Sequence, residues 1–171
     1  MDAPKQHENM NAYVRLAAMV GVSTVVMFGL MYLNTYEAEH LYFSQTRGWM
    51  ALVMGATMAV IMLAFMTHML KNNAANLGIV VGSVLVFAIS LWLVRSQATV
   101  DDVGYMKAMI PHHSIAIMTS KRANITDARV RKLADGIMEA QVSEIGSMKR
   151  LIDDLERKSR SGAPANAATP R

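Results

Sequence analysis

The chain has no cysteine among its 171 residues, which excludes a disulfide scaffold, a thiolate-held zinc or iron–sulfur site and a thiol nucleophile. Charge is nearly missing from the first hundred residues, which carry five basic and four acidic side chains, against ten and nine in residues 101–158. Half of the net charge of +4 comes from Arg160 and Arg171 in the tail. The basic balance therefore reflects no concentrated patch of the kind that binds nucleic acid, and a nucleic-acid partner is excluded. No HExxH sequence, nucleotide-binding loop or Ser-His-Asp arrangement occurs, so nothing points to an enzyme.

What the first half does contain is three charge-free windows, 16–36, 48–70 and 72–94. Each is long enough at ~1.5 Å per residue to cross a ~30 Å hydrocarbon layer. Three such windows have no soluble partner large enough to bury them, so we expect membrane-spanning helices over about 14–36, 48–70 and 76–94 within a membrane segment 1–95, with lipid as the surrounding partner. The first window is too long for a secretory signal and no cleavage site follows it. Tyr13, Tyr32, Tyr36, Trp49 and Trp92 fall near window ends, where interfacial anchors belong. Lys5, Arg15 and Lys71 flank one side, Arg47 and Arg95 the other. The acidic first loop, with Glu37, Glu39 and His40, is read as extracytoplasmic. Three spans then place the N-terminus in the cytoplasm and everything after Arg95 outside, in a bacterial inner membrane with a periplasmic domain.

Methionine, at 16 residues, is the unusual abundance. In the second window Met50, Met54, Met58, Met62 and Met66 recur at i, i+4, followed by Met69 and His68. Met27 and Met31 repeat the step in the first window, and the third has none. The drift of ~40° per step makes the ladder a slanted ridge. Two readings stay open for it. Thioethers favour soft Cu(I) or Ag(I), whereas methionine is also adaptable packing material. Small residues Ala51, Gly55 and Ala59, and separately Gly78 and Gly82, form strips suited to helix packing in lipid. His7 and Met10 are weaker candidates for a metal role.

From Asp101 the pattern becomes amphipathic. Thr99 with Asp102 has capping-box spacing for a helix to about Ala123, and Thr126 is placed to cap a second helix to Lys158. Residues 159–171 read as a disordered tail. On ideal wheels Met106, Met109, Ile110, His113, Ala116 and Ile117 share one face. Val130, Ala134, Ile137, Gln141, Glu144, Met148, Ile152 and Leu155 share a face of the second helix. A carboxylate in an apolar stripe requires a partner, a metal or hydrogen bonds, and a structural Glu–His pair satisfies this as well as a ligand set does. Pro111 either kinks the first helix or opens a fresh one at its N1 position. His112 points about 100° away from His113 on a straight wheel.

The segments YMKAMIPHHSIAIM and LADGIMEAQVSEIGSMKRLI resemble the domain of unknown function 305 family over residues 100–155. The matching positions are Tyr105, Met106, Met109, Ile110, Pro111, His112, His113, Ala116 and Met118, then Gln141, Glu144, Ile145 and Met148. The methionine-rich three-span front end is similar to a membrane-bound subgroup of that family. Ser114 and Ile115 depart from the Gln-Gly that often follows the histidine pair there. The resemblance implies a ferritin-like helical fold and, for some members, extracytoplasmic copper binding through Met and His. It adds His112 to a ligand set of His113, Met109, Met106, Met148, Glu144 and Gln141.

The expected architecture is all-α: three transmembrane helices, then a ferritin-like hairpin over 96–158 that pairs into a four-helix bundle, because so short a hairpin buries little surface alone. The expected function is a membrane-anchored Cu(I)/Ag(I)-binding protein for copper handling or tolerance, homo-oligomeric, with a copper-handling protein as further partner. The alternative is a non-metal helical interaction module within a larger membrane complex. A di-iron centre would use Glu-x-x-His pairs, and Ser147 stands where Glu144 would require the histidine.

Overall fold

Each charge-poor run folds as a helix in the computed structural model, which describes residues 3–33 and 35–161, with side chains from residue 11 onward. The side chains of His7 and Met10, and the tail beyond 161, lie outside what the structure describes. The first three helices are α1 (Ala3–Leu30), α2 (Gln45–Phe65) and α3 (Asn73–Ser96). Their apolar parts, Asn11–Leu30, Gln45–Phe65 and Asn73–Ser96, are long and apolar enough to cross a membrane. Two further helices, α4 (Asp102–Arg122) and α5 (Ala128–Arg160), follow. All regular structure among the described residues is helical.

The helices divide into two compact units, one of Met1–Met31 with Thr46–Thr99, the other of Tyr32–Gln45 with Val100–Arg171. This division corrects the first span boundary. α1 stops at Leu30 and not at 36, because the residues from Tyr32 belong to the second unit. Tyr36 and Tyr42 pack there against the hairpin core, so Tyr36 is not an anchor at the end of a span.

In the first unit Ala12, Leu16, Leu63 and Leu70 form the buried cluster, with Met62, Met66, Ile79 and Val80 against it. Asn72 starts α3 by accepting hydrogen bonds on its side-chain oxygen from Ala74 and Ala75 N–H, both at 3.1 Å, as an N-cap does. Tyr13 spans from α1 to this turn. Its hydroxyl donates to Asn76 Oδ1 at 2.7 Å and accepts the Asn72 N–H at 3.1 Å.

The two small-residue strips behave differently. Ala51 and Gly55 are buried, and a Cβ on Gly55 would run into the Thr24 side chain, so this strip brings α1 and α2 close. Gly78 and Gly82 have no neighbouring atom within 4 Å of where a Cβ would sit. The methionine ladder likewise crosses several environments: Met62 and Met66 pack on the cluster, Met54 and Met58 are half-buried, and Met50 is exposed. Met27 and Met31 are half-buried.

In the second unit both helix starts are set by aspartates, two residues after Thr99 for α4 and one residue after Thr126 for α5. Asp101 accepts the Gly104 N–H at 2.7 Å, and Asp127 accepts the Arg129 and Val130 N–H groups at 2.8 and 3.4 Å. A carboxylate at the cap also meets the positive end of the helix dipole, an advantage that the hydroxyls of Thr99 and Thr126 lack. α4 runs unbroken through Pro111, which is buried, so the proline does not open a fresh helix.

The hairpin core joins Met106, Ile110 and Ile117 of α4 to Ile145 and Ile152 of α5, with Tyr36, Tyr42, Val103, Met148 and Leu155 packed around it. On α5 the inward positions are Ala134, Met138, Gln141, Ile145, Met148, Ile152 and Leu155, all buried or half-buried. That alternating four-and-three spacing is the seam of a helix lying nearly parallel to its neighbour. It turns α5 away from the ideal-wheel orientation. Val130 and Ile137, expected inside, are exposed, and Ile145 takes the buried place expected for Glu144.

Candidate metal centre

Helical spacing places Met109 one turn before His113 on α4. Met109 is half-buried, and the His113 side chain retains 14% of its exposure. Glu144 Oε2 lies 3.1 Å from His113 Nδ1, at the edge of the seam, with 54% of its side chain exposed. The cost of a fully buried carboxylate is thereby avoided. Gln141 Nε2 donates to the same Glu144 oxygen at 3.4 Å. His113, Glu144 and Gln141 are thus brought together across the hairpin. Met106 lies in the core with Met148 packed against its cluster. His112 is exposed, its ring centroid 6.1 Å from that of His113 and inclined at 60°.

Although Glu144 is within ion-pair distance, Nδ1 of His113 is a buried nitrogen with no hydrogen-bond partner. Burial pushes the His113 pKa below the ordinary histidine value. Glu144 opposes that shift and His112 adds to it. The neutral imidazole so favoured is the form that ligates metals. Among the described residues no group of three or more His, Asp or Glu side chains is arranged to hold a metal ion. A site here would be completed by thioethers, which suits a soft ion and not a carboxylate-bound one.

A second set of contacts, outside the expected ligand set, gathers at Ser114, the residue after His113 on α4. Ser114 Oγ accepts the Tyr36 N–H at 2.9 Å and lies 3.0 Å from His40 Nδ1. Lys121 Nζ donates to the Tyr36 hydroxyl at 2.8 Å, and Lys149 lies 3.6 Å from Glu39. His40 is buried, and its pKa is lowered by burial and by Lys149, against the opposing pull of Glu37 and Glu39. The one sequence signal for this contact was Ser114 itself, a small hydroxyl where the family resemblance leads to glutamine.

No solved structure matches the chain. An uncharacterized protein of Acanthamoeba polyphaga mimivirus is 39% identical over 74 residues, which are 42% of this chain and 49% of the relative. The chain therefore spans about half the length of the curated relative it matches. Residues 102–170 match the family model described as domain of unknown function DUF305, so the hairpin, and not the spans, carries the family likeness.

Proposed function

We propose that the protein is a membrane-anchored binder of Cu(I), and of Ag(I) by the same chemistry, serving copper handling or tolerance outside the cytoplasm. The observation that carries this reading is the buried Nδ1 of His113, one turn from the Met109 thioether, which makes no hydrogen bond although Glu144 Oε2 lies 3.1 Å away. Met106 and Met148 lie in the adjoining core. Imidazole and thioether are donors suited to a soft monovalent ion. Glu144 supplies negative charge and Gln141 holds its oxygen. His112 enters as an exposed first contact for the arriving ion. The metal is cargo here, and the ladder of Met50, Met54, Met58, Met62 and Met66, with Met27 and Met31, is its route or reservoir in the membrane segment.

The hairpin pairs with a second copy into a four-helix bundle. Tyr105 on α4 and Val130, Leu133, Ile137 and Leu151 on α5 are exposed. The α5 residues follow a second seam that includes Glu144, so pairing covers apolar surface and closes the His113 centre at once. The N-terminus is cytoplasmic and the hairpin periplasmic. An odd number of crossings puts the first loop and the hairpin on one side of the membrane, in keeping with their membership of one unit.

In a Cu(I) competition titration of the purified full chain, His113→Ala should lose affinity while Met118→Leu loses little. Equal affinity in the wild type and His113→Ala overturns the assignment. A reporter fused at Arg171 that is active only in the cytoplasm overturns the orientation. The exposed apolar stripe equally suits a larger membrane complex without metal. That second reading gains if the chain co-purifies with partners and takes up no copper.

A further inference from the structure

On the side of α4 that carries Ser114, residues 36–40 and the hairpin enclose a cleft of about 740 Å³. Tyr36, Glu37, His40, Lys121, Met138 and Glu139 contribute to its lining. The His40 side chain is only 7% exposed. Its Nδ1 is taken up by Ser114 Oγ at 3.0 Å, which leaves Nε2 as the ring nitrogen available to the cleft. A Glu37 carboxylate oxygen lies 3.6 Å from Nε2, beyond hydrogen-bond reach, and the charges of Lys149 and Glu39 also act on the ring. A buried imidazole fixed through one of its nitrogens, here at the wall of a cleft, is how proteins prepare a metal-ligating histidine.

The donors define the ion. Glu37, His40 and Glu139 line the cleft, but among the described residues no three His, Asp or Glu side chains are arranged to hold one metal ion, so a hard divalent ion lacks its usual oxygen-rich shell. An imidazole and the Met138 thioether are instead a neutral, soft pair. Glu37 and Glu139 add negative charge that favours a cation. The Lys121 and Lys149 ammoniums oppose it, although Lys121 directs a proton to the Tyr36 hydroxyl at 2.8 Å and Lys149 lies 3.6 Å from Glu39. The strap that supplies His40 lies outside the segment that matches the family model.

We propose that this cleft is a second soft-metal site, in which His40 Nε2 and the Met138 thioether take a monovalent Cu(I) or Ag(I) ion, separate from the centre at His113. The proposal rests on the soft-metal reading of the chain. It makes the loop between the first two spans a contributor of ligands and not only a connection.

Ag(I) titration of the full chain in detergent, followed by calorimetry, tests it. Beyond any uptake by the methionine ladder, the wild type should show two classes of uptake, with one class lost in His113→Ala and the other lost in both His40→Asn and Met138→Leu. Asparagine keeps a polar atom for Ser114 while removing Nε2. Met138→Leu keeps side-chain volume and leaves the Ser114 contacts untouched, so it remains informative if His40→Asn misfolds. Uptake unaffected by Met138→Leu overturns the second site. Loss of all uptake in His113→Ala overturns it as well and leaves the first site standing. Uptake that survives in His113→Ala and disappears in Met138→Leu removes the His113 assignment and keeps this one. A wild type that takes up no Ag(I) removes both.

Discussion

Ser114 Oγ accepts the backbone N–H of Tyr36 at 2.9 Å, across 78 residues of sequence and with no solvent exposure at the serine. The same oxygen meets His40 Nδ1, so one hydroxyl fastens the loop after α1 to the helix that carries His113. Ser114→Ala leaves two polar groups without their partner. We expect it to destabilise the second unit by about 1–3 kcal/mol, read from denaturant unfolding of the full chain. Ser114→Gln, the side chain common in the resembling family, has no room in this fully buried position and should displace the strap. Unchanged unfolding midpoints for both variants would show that the strap is not held here.

Gly55 and Gly82 should respond differently to the same added methyl group. At Gly55 a Cβ meets the Thr24 side chain, whose hydroxyl is bonded to the Val20 carbonyl at 2.8 Å. The overpacking should cost about 1–3 kcal/mol. At Gly82 nothing lies within 4 Å, and alanine should be neutral or mildly favourable through helix propensity. Thermal melts in detergent compare the two, and equal shifts would contradict the packing described for α1 and α2.

Replacing Met54, Met58 and Met62 together by leucine removes three thioethers while keeping volume nearly constant. Each site should change stability by less than ~1.5 kcal/mol. If the ladder handles copper, the variant assembles normally and loses copper tolerance in growing cells. Normal tolerance would assign the ladder to packing, as the position of Met62 on the first unit's cluster already does for part of it.

The α5 cap has a predictable response to acid. The Arg129 side chain and N–H, with the Val130 N–H, lower the Asp127 pKa from 3.8 to about 2. The folded state thus holds the proton less tightly than the unfolded one. The stabilising effect of the cap is fully present above pH 3.8 and is lost as pH falls toward about 2. A carboxyl titration of Asp127 by NMR should show that lowered midpoint. Asp127→Asn keeps a capping oxygen and should remove the acid response while retaining the helix, and a midpoint near 3.8 in the wild type would refute the pairing with Arg129.

Local patterns made much of this legible. Hydropathy alone located three helices able to cross a membrane, because the need for apolar side chains over about 20 residues is a property of each segment by itself. The hairpin and its motif were legible for a similar reason: a 3.6-residue period and a run such as Met109, Ile110, Pro111, His112 and His113 survive any packing. His113 and Glu144 could be nominated together from wheels, and the structure places them 3.1 Å apart.

What only the tertiary structure decided is where each face turns and which distant segment meets it. The sequence of α5 accommodates both an inward Glu144 and an inward Ile145. Packing against α4 selects Ile145, since burying the isoleucine gains apolar contact and leaving the glutamate at the edge spares its desolvation. Likewise, Tyr36 reads as the end of a span when only its neighbours are considered. It becomes part of the hairpin core because Ser114 and Lys121 satisfy its polar groups there. No periodicity within residues 32–45 encodes that contact, as its partners lie on α4.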